Sequence, residues 1–151
     1  MAAEDMRMAT DSQWLVWALL SAVFAAATAV LAKAGVQQVD ADLATLLRTL
    51  VIAALLLGFV AISGKWRNPL SLPPVTLGLL AASALATGAS WVCYFRALKL
   101  GDASRVAAVD KLSLALVAVF AFAFLHEKLD LRGWLGVAFV VAGIVLLGLR
   151  R

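Results

Sequence analysis

Asp110 and Lys111 stand side by side in a stretch that is otherwise almost wholly apolar, and no residues of this chain are better placed to do chemistry. A carboxylate inside a membrane span can carry a proton or balance a cation, and an ammonium there can hold an anion. Both fall about 9–10 Å along a helix that begins near Ser104, at 1.5 Å per residue. An ionised side chain near the centre of such a helix costs about 2.5–3.5 kcal/mol on insertion scales. Two in succession need a local reason. Neighbours at i and i+1 do not face each other on a helix, so the spacing predicts that this pair does not form an ion pair of its own. Each then looks to another helix or to a water-filled cavity. Arg48 or Arg96 is in range of Asp110, and Lys111 can take backbone carbonyls or an anionic ligand. The bland reading is an anchoring ion pair, with Lys111 snorkelling to the interface. The functional one is a place on a transport path.

Arg48, Trp91 and Tyr94 complete the candidate set for substrate binding or coupling. Trp91 and Tyr94, with Arg96 after them, close the third apolar stretch, where an interfacial aromatic belt is the first expectation and a substrate-stacking surface the second. Trp14, Trp17, Trp66 and Trp134 read as belt residues too. His126-Glu127-Lys128 reads as a solvated cap at a helix end, because a lone His beside a Glu has no further metal ligands in a workable pattern. With one His, one Cys, no paired carboxylates within a span and no glycine-rich phosphate loop, the sequence offers no catalytic residue, metal site or cofactor site, and an enzyme is not expected.

The elements that must position these residues are membrane helices. Five stretches of spanning length run from Trp14 to Ala34, Leu43 to Ser63, Val75 to Phe95, Ser104 to Leu125 and Arg132 to Leu149, each near the roughly 20 residues that cross a bilayer. The fourth is uncharged only from Leu112 to Leu125, so it must reach back and take Asp110 and Lys111 into the membrane. Hydrophobic residues make up 64% of the 151 and charged residues 15%, against about 45–50% and 25% in soluble domains. A soluble chain this small cannot bury that much apolar surface. The fold class is therefore all-α: an integral membrane protein of five transmembrane helices, with the lipid bilayer as its first partner. Residues 1–13 form a polar, poorly ordered N-terminal tail, and 14–151 form the one transmembrane domain.

The net charge of +4 comes from basic residues scattered at helix ends and is no nucleic-acid signal. The acidic balance before Trp14 does not fit a cleavable signal peptide. The single Cys93 is uninformative about compartment. Loops are short, as between antiparallel neighbours. Small residues recur at helical spacing: Gly78, Ala82, Ala86 and Ser90 on the third span, Ser21, Ala25 and Ala29 on the first, Gly136 and Gly143 on the fifth. Such stripes let backbones approach closely in a membrane, and close helix packing is their expected use, with a cavity wall as the second reading.

The sequence resembles EamA-type proteins of the drug/metabolite transporter superfamily, in particular small five-span prokaryotic members. The likeness covers nearly everything after residue 13. It rests on Trp14-Leu15-Val16-Trp17-Ala18-Leu19-Leu20-Ser21-Ala22 with Phe24 and Lys33, on Tyr94-Phe95-Arg96-Ala97-Leu98 and on Ala108-Val109-Asp110-Lys111-Leu112-Ser113. It rests also on Glu127-Lys128-Leu129, Gly133-Trp134-Leu135-Gly136 and Ala142-Gly143-Ile144. Similar proteins often carry proline just before Val-Asp-Lys; Ala107-Ala108 stands here, so a proline-assisted kink is not expected.

The resemblance implies a carrier of small metabolites or drugs in the cell (inner) membrane. Larger relatives hold two five-helix units in opposite orientations, so this chain would be half of a ten-helix inverted-repeat architecture, completed as a homodimer. With the N-terminus outside, Lys33, Arg48, Arg96, Lys99, Arg105, Arg150 and Arg151 lie inward, and Arg7, Lys65, Arg67, Lys128 and Arg132 outward. That is a slight bias to N-out, C-in, and slight bias is what an antiparallel dimer of dual topology needs. Two alternatives stand beside the carrier. One is a non-transporting assembly or regulatory subunit. The other is a small multidrug exporter, which would look for a carboxylate in its first span; none lies between Trp14 and Val39.

Overall fold

The computed structural model describes the backbone of residues 2–149 and the side chains of residues 13–148 other than that of Leu70. Six helices follow in order: α1 (Ala2–Val36), α2 (Ala41–Ile62), α3 (Pro74–Leu100), α4 (Ala103–Asp110), α5 (Ser113–Phe124) and α6 (Leu131–Leu149), with a single 3₁₀ turn at Pro69–Ser71. There is no strand among the described residues. Five segments are long and apolar enough to cross a membrane: Gln13–Val36, Ala41–Ile62, Pro74–Leu100, Ala103–Phe124 and Leu131–Gly148. The fold is all-α with five spans. Helix α1 begins at Ala2, so the polar N-terminal segment continues the first span as helix.

The fourth span is α4 and α5 laid end to end, broken at Lys111-Leu112 without a proline. There the ladder tightens: the amides of Lys111 and Leu112 bond the carbonyls of Ala108 and Val109, and those of Leu114 and Ala115 bond the carbonyls of Lys111 and Leu112, each at 3.0 Å. These are i to i+3 bonds, the 3₁₀ pattern that marks hinges within helices. With Ala107-Ala108 before it, the interruption is not proline-assisted, as expected from the sequence.

Helix α3 packs against α1, α2 and α4; α4 and α5 both pack on α6; and α1 also meets α2 and α4. Capping sets the ends. Asp40 accepts from the Asp42 and Leu43 amides at 2.9 and 3.2 Å and so starts α2. Pro74, whose missing N–H costs nothing at a first turn, starts α3. Asp130 Oδ1 accepts from Gly133 N at 2.8 Å and starts α6. Within α2, the Thr45 and Thr49 hydroxyls return to the carbonyls one turn back, at 2.8 and 2.7 Å, and so carry no unpaired donor into the bilayer. His126, after α5, holds a left-handed backbone at φ 56°, which turns the chain toward α6.

The buried core is small and sits at one end. Val36, Ala41, Phe95 and Leu98 pack together beneath the α1–α2 and α3–α4 connections, with Ala32, Ala44, Tyr94, Ala103 and Val106 against them. Elsewhere large apolar side chains face outward, as hydrocarbon requires: Leu55 and Phe139 are 69% and 76% exposed. The glycines of the α3 and α6 stripes have no neighbour packed against them. A Cβ added at Gly78, Gly136 or Gly143 would meet no atom within 4 Å. Those faces are uncovered, because one five-span bundle has too few helices to surround its own third and fifth spans.

Candidate functional site

Lys33 closes the core end. It rises from the last turn of α1 and donates through Nζ to the carbonyls of Leu98 and Gly101 at 2.7 and 2.8 Å. These lie at the carboxyl end of α3, where helix carbonyls lack intrahelical partners and the dipole attracts a cation. Beside it Lys99 Nζ donates to Val39 O at 2.6 Å. Arg96 forks onto Asp42, with Nε to Oδ1 at 2.9 Å and Nη2 to Oδ2 at 2.7 Å. Both partners of that fork are more than half or half exposed, so it fixes the register of α2 on α3 more than it stabilises.

Above this closed end lies an open-sided cavity of about 690 Å³ between α1, α3 and α4, with α2 contributing Arg48. Arg48, Trp91, Tyr94, Asp110 and Lys111 all line it. Their depths agree. Arg48 lies about 10 Å from the start of α2, and Asp110 the same distance from the start of α4, both counted from the same end of the bundle. The rest of the wall is small: Ser21, Ala22, Ala25, Ala26 and Ala29 on α1, Ser90 on α3, Ser104, Ala107 and Ala108 on α4. Ser21 and Ala25 thus face open volume, whereas Ala29, next in the same stripe, is buried, as close packing predicts.

Three further expectations change. Arg96 does not reach Asp110, since its place in the last turns of α3 sets it over the start of α2 and Asp42. Arg48 does not reach Asp110 either. Its guanidinium carbon lies 4.4 Å from the Trp91 ring centroid and 5.6 Å from that of Phe95, a double cation–π contact. Asp110 instead meets Lys111: Nζ to Oδ2 is 3.5 Å. The rule against i, i+1 pairing presumes an unbroken α-helix, and the chain tightens at this point, letting the long lysine stem fold back. At 3.5 Å the contact is loose beside the 2.7–2.9 Å of a good charged hydrogen bond.

Helix α3 continues to Leu100, beyond the Phe95 at which the apolar stretch stops, and so Tyr94 and Trp91 lie about one and a half to two and a half turns before its end, both half-buried. Lys33, Phe95 and Asp42 carry structural parts of the site that residue types alone did not single out. For Lys33 the available signal was its place four residues after Ala29 on the cavity-lining face of α1. A second cavity of about 600 Å³ shares Ser90, Tyr94 and Asp110 with the first and runs along α4 toward Arg105 and Gly148. There the Arg105 guanidinium donates to Gly148 O at 2.9 Å. Among the described residues no group of His, Cys, Asp or Glu is arranged to hold a metal ion.

Comparison with known proteins agrees with this architecture. Residues 12–149 match the EamA-like transporter family. A Sinorhizobium sp protein named "Uncharacterized transporter in cobO 3'region" is 58% identical over 137 residues, covering 91% of this chain and 97% of that one. No solved structure matches the chain.

Proposed function

Since the chain belongs to the EamA-like transporter family and is a multi-pass membrane protein, we propose that it is a secondary transporter of a small organic metabolite or drug in the cell (inner) membrane, with the Arg48–Trp91–Tyr94–Asp110–Lys111 cavity as its solute site. One observation carries this reading: five residues from three spans converge on one cavity, with Arg48 and Asp110 at a common depth along their helices. A merely anchoring pair would sit at the interface and leave no open volume in front of it. Asp110 is the cavity's carboxylate, and it is the natural carrier of a coupling proton. The tightened turn at Lys111-Leu112 gives the fourth span a joint about which α4 and α5 can move. Asp110→Asn and Lys111→Ala are each expected to lower solute uptake into proteoliposomes several-fold while leaving the folded yield near that of the parent. Lost folding with unchanged uptake per folded molecule would sink this assignment.

The working unit is a homodimer, built as an antiparallel pair of ten helices. Support comes from the uncovered glycine faces of α3 and α6 and from the odd number of spans, with the open side of the cavity left for a second copy. In a cell, tags on both termini should each be found on both sides of the membrane. A single orientation in every molecule would rule the antiparallel pair out.

A further inference from the structure

Arg48 brings a full positive charge about 10 Å into the span, and among the described residues no carboxylate or carbonyl accepts a hydrogen bond from it. The nearby acids are committed elsewhere. Asp40 caps α2, Asp42 holds Arg96, and Asp110 faces Lys111. Trp91 and Phe95 offset part of the charge through their ring faces, but a ring does not satisfy the in-plane N–H donors of a guanidinium. Lys111 adds a second cation to the same cavity, and its loose contact with Asp110 leaves donors free. The cavity's charged lining is thus two cations and one carboxylate, a surplus of one positive charge in a space otherwise walled by alanine, serine, one threonine and two aromatic rings. A cationic solute would meet Arg48 and Lys111 with like charge, screened less beside hydrocarbon than in bulk water. A fully neutral one could accept hydrogen bonds from the guanidinium but would leave its charge uncompensated.

Resting on the reading of this cavity as the solute site, we propose that its ligand is a small organic anion whose carboxylate is taken by Arg48, with Lys111 as the second cationic contact. Guanidinium matches a carboxylate as a two-pronged donor, and a residue stacked on an indole holds that fork in place. Arrival of the carboxylate also competes with Asp110 for Lys111.

The test is thermal unfolding of the purified full chain in neutral phosphatidylcholine nanodiscs with matched solutes: benzoate, benzamide and benzylamine; succinate and succinamide; glutamate and glutamine. At least one carboxylate should raise the unfolding midpoint by about 3 °C or more at high concentration, while its amide and the amine do not. Arg48→Gln should lose that shift and Arg48→Lys should keep part of it, so that a poorly folding glutamine variant does not decide the matter. The proposal is overturned by a shift that survives Arg48→Gln, by stabilisation from the amine or amides alone, or by no response to any carboxylate. A response to phosphatidylglycerol in place of every soluble carboxylate overturns it too, since the occupant is then a lipid headgroup. Uptake is measured separately on the same protein. Flux of a neutral or cationic solute keeps the transport reading and removes this one; a carboxylate shift without any flux does the reverse.

Discussion

Ala25→Phe is expected to leave the protein folded and to reduce solute uptake at least about tenfold, a differential of roughly 1.4 kcal/mol or more against the solute. Ala25 lies on the α1 wall of the cavity, level with the approach to Asp110 and Arg48 from the open side. In a packed core, a phenyl ring forced into an alanine site destabilises by about 1–3 kcal/mol. Here the ring enters open volume, so the unfolding midpoint in detergent should stay level or rise. The two readouts separate the two uses of a small-residue stripe. A packed interface predicts damaged folding, and a solute wall predicts sound folding with blocked flux. Ala54→Phe on an exposed face of α2 serves as the comparison, because it adds the same bulk outside this cavity and outside the small-residue faces of α3 and α6.

The second large effect concerns Lys33→Met, which keeps the stem length and removes the ammonium. Two charged hydrogen bonds to Leu98 O and Gly101 O are lost, and two helix-end carbonyls are left unpaired beside the buried Val36, Phe95 and Leu98. Hydrogen bonds to charged groups contribute about 1.5–3 kcal/mol, and an unsatisfied buried acceptor costs a similar amount. A loss of about 2–3 kcal/mol is expected, read as a fall in the denaturation midpoint at unchanged slope. Lys99→Met, which removes one exposed bond to Val39 O, should do much less. Equal effects from the two would mean that Lys33 is no special clamp. Because the clamp ties α1 to the α3–α4 corner, the variant should also loosen the closed end of the cavity.

Much of this was legible in the sequence, and the part that was not follows a physical pattern. Apolar length alone defines the five spans within a few residues, since hydrocarbon demands uninterrupted apolar helix and sets how much. Asp110 and Lys111 stood out because charge in a span is expensive. Their lodging place was not legible, because partner choice depends on three-dimensional contacts between helices far apart in sequence. Arg48 and Trp91 are separated by 43 residues, and nothing in either stretch announces that they meet. Trp91 and Tyr94 were hard for a different reason. An apolar run ends at the first charge, but a membrane helix continues past it when lysine and arginine can cap or fork at the interface, as Arg96 and Lys99 do. The break at Lys111-Leu112 has no proline or glycine to mark it. It is carried by 3₁₀ hydrogen bonding alone, which leaves no trace in composition.

The claim on which everything else depends is that the cavity is an aqueous solute path and not a groove filled by lipid tails. Thiol chemistry tests it directly, because maleimides attack the thiolate, and a thiol ionises in water but not in hydrocarbon. The native Cys93 is first replaced by serine, as it is exposed beside the second cavity. Ser21→Cys is then placed on the α1 wall, Leu55→Cys on the outward face of α2 as the lipid reference, and Ser71→Cys in the α2–α3 connection as the water reference. A membrane-impermeant maleimide should label Ser21→Cys at a rate close to that of Ser71→Cys and far above that of Leu55→Cys. Labelling of Ser21→Cys no faster than Leu55→Cys would contradict the account.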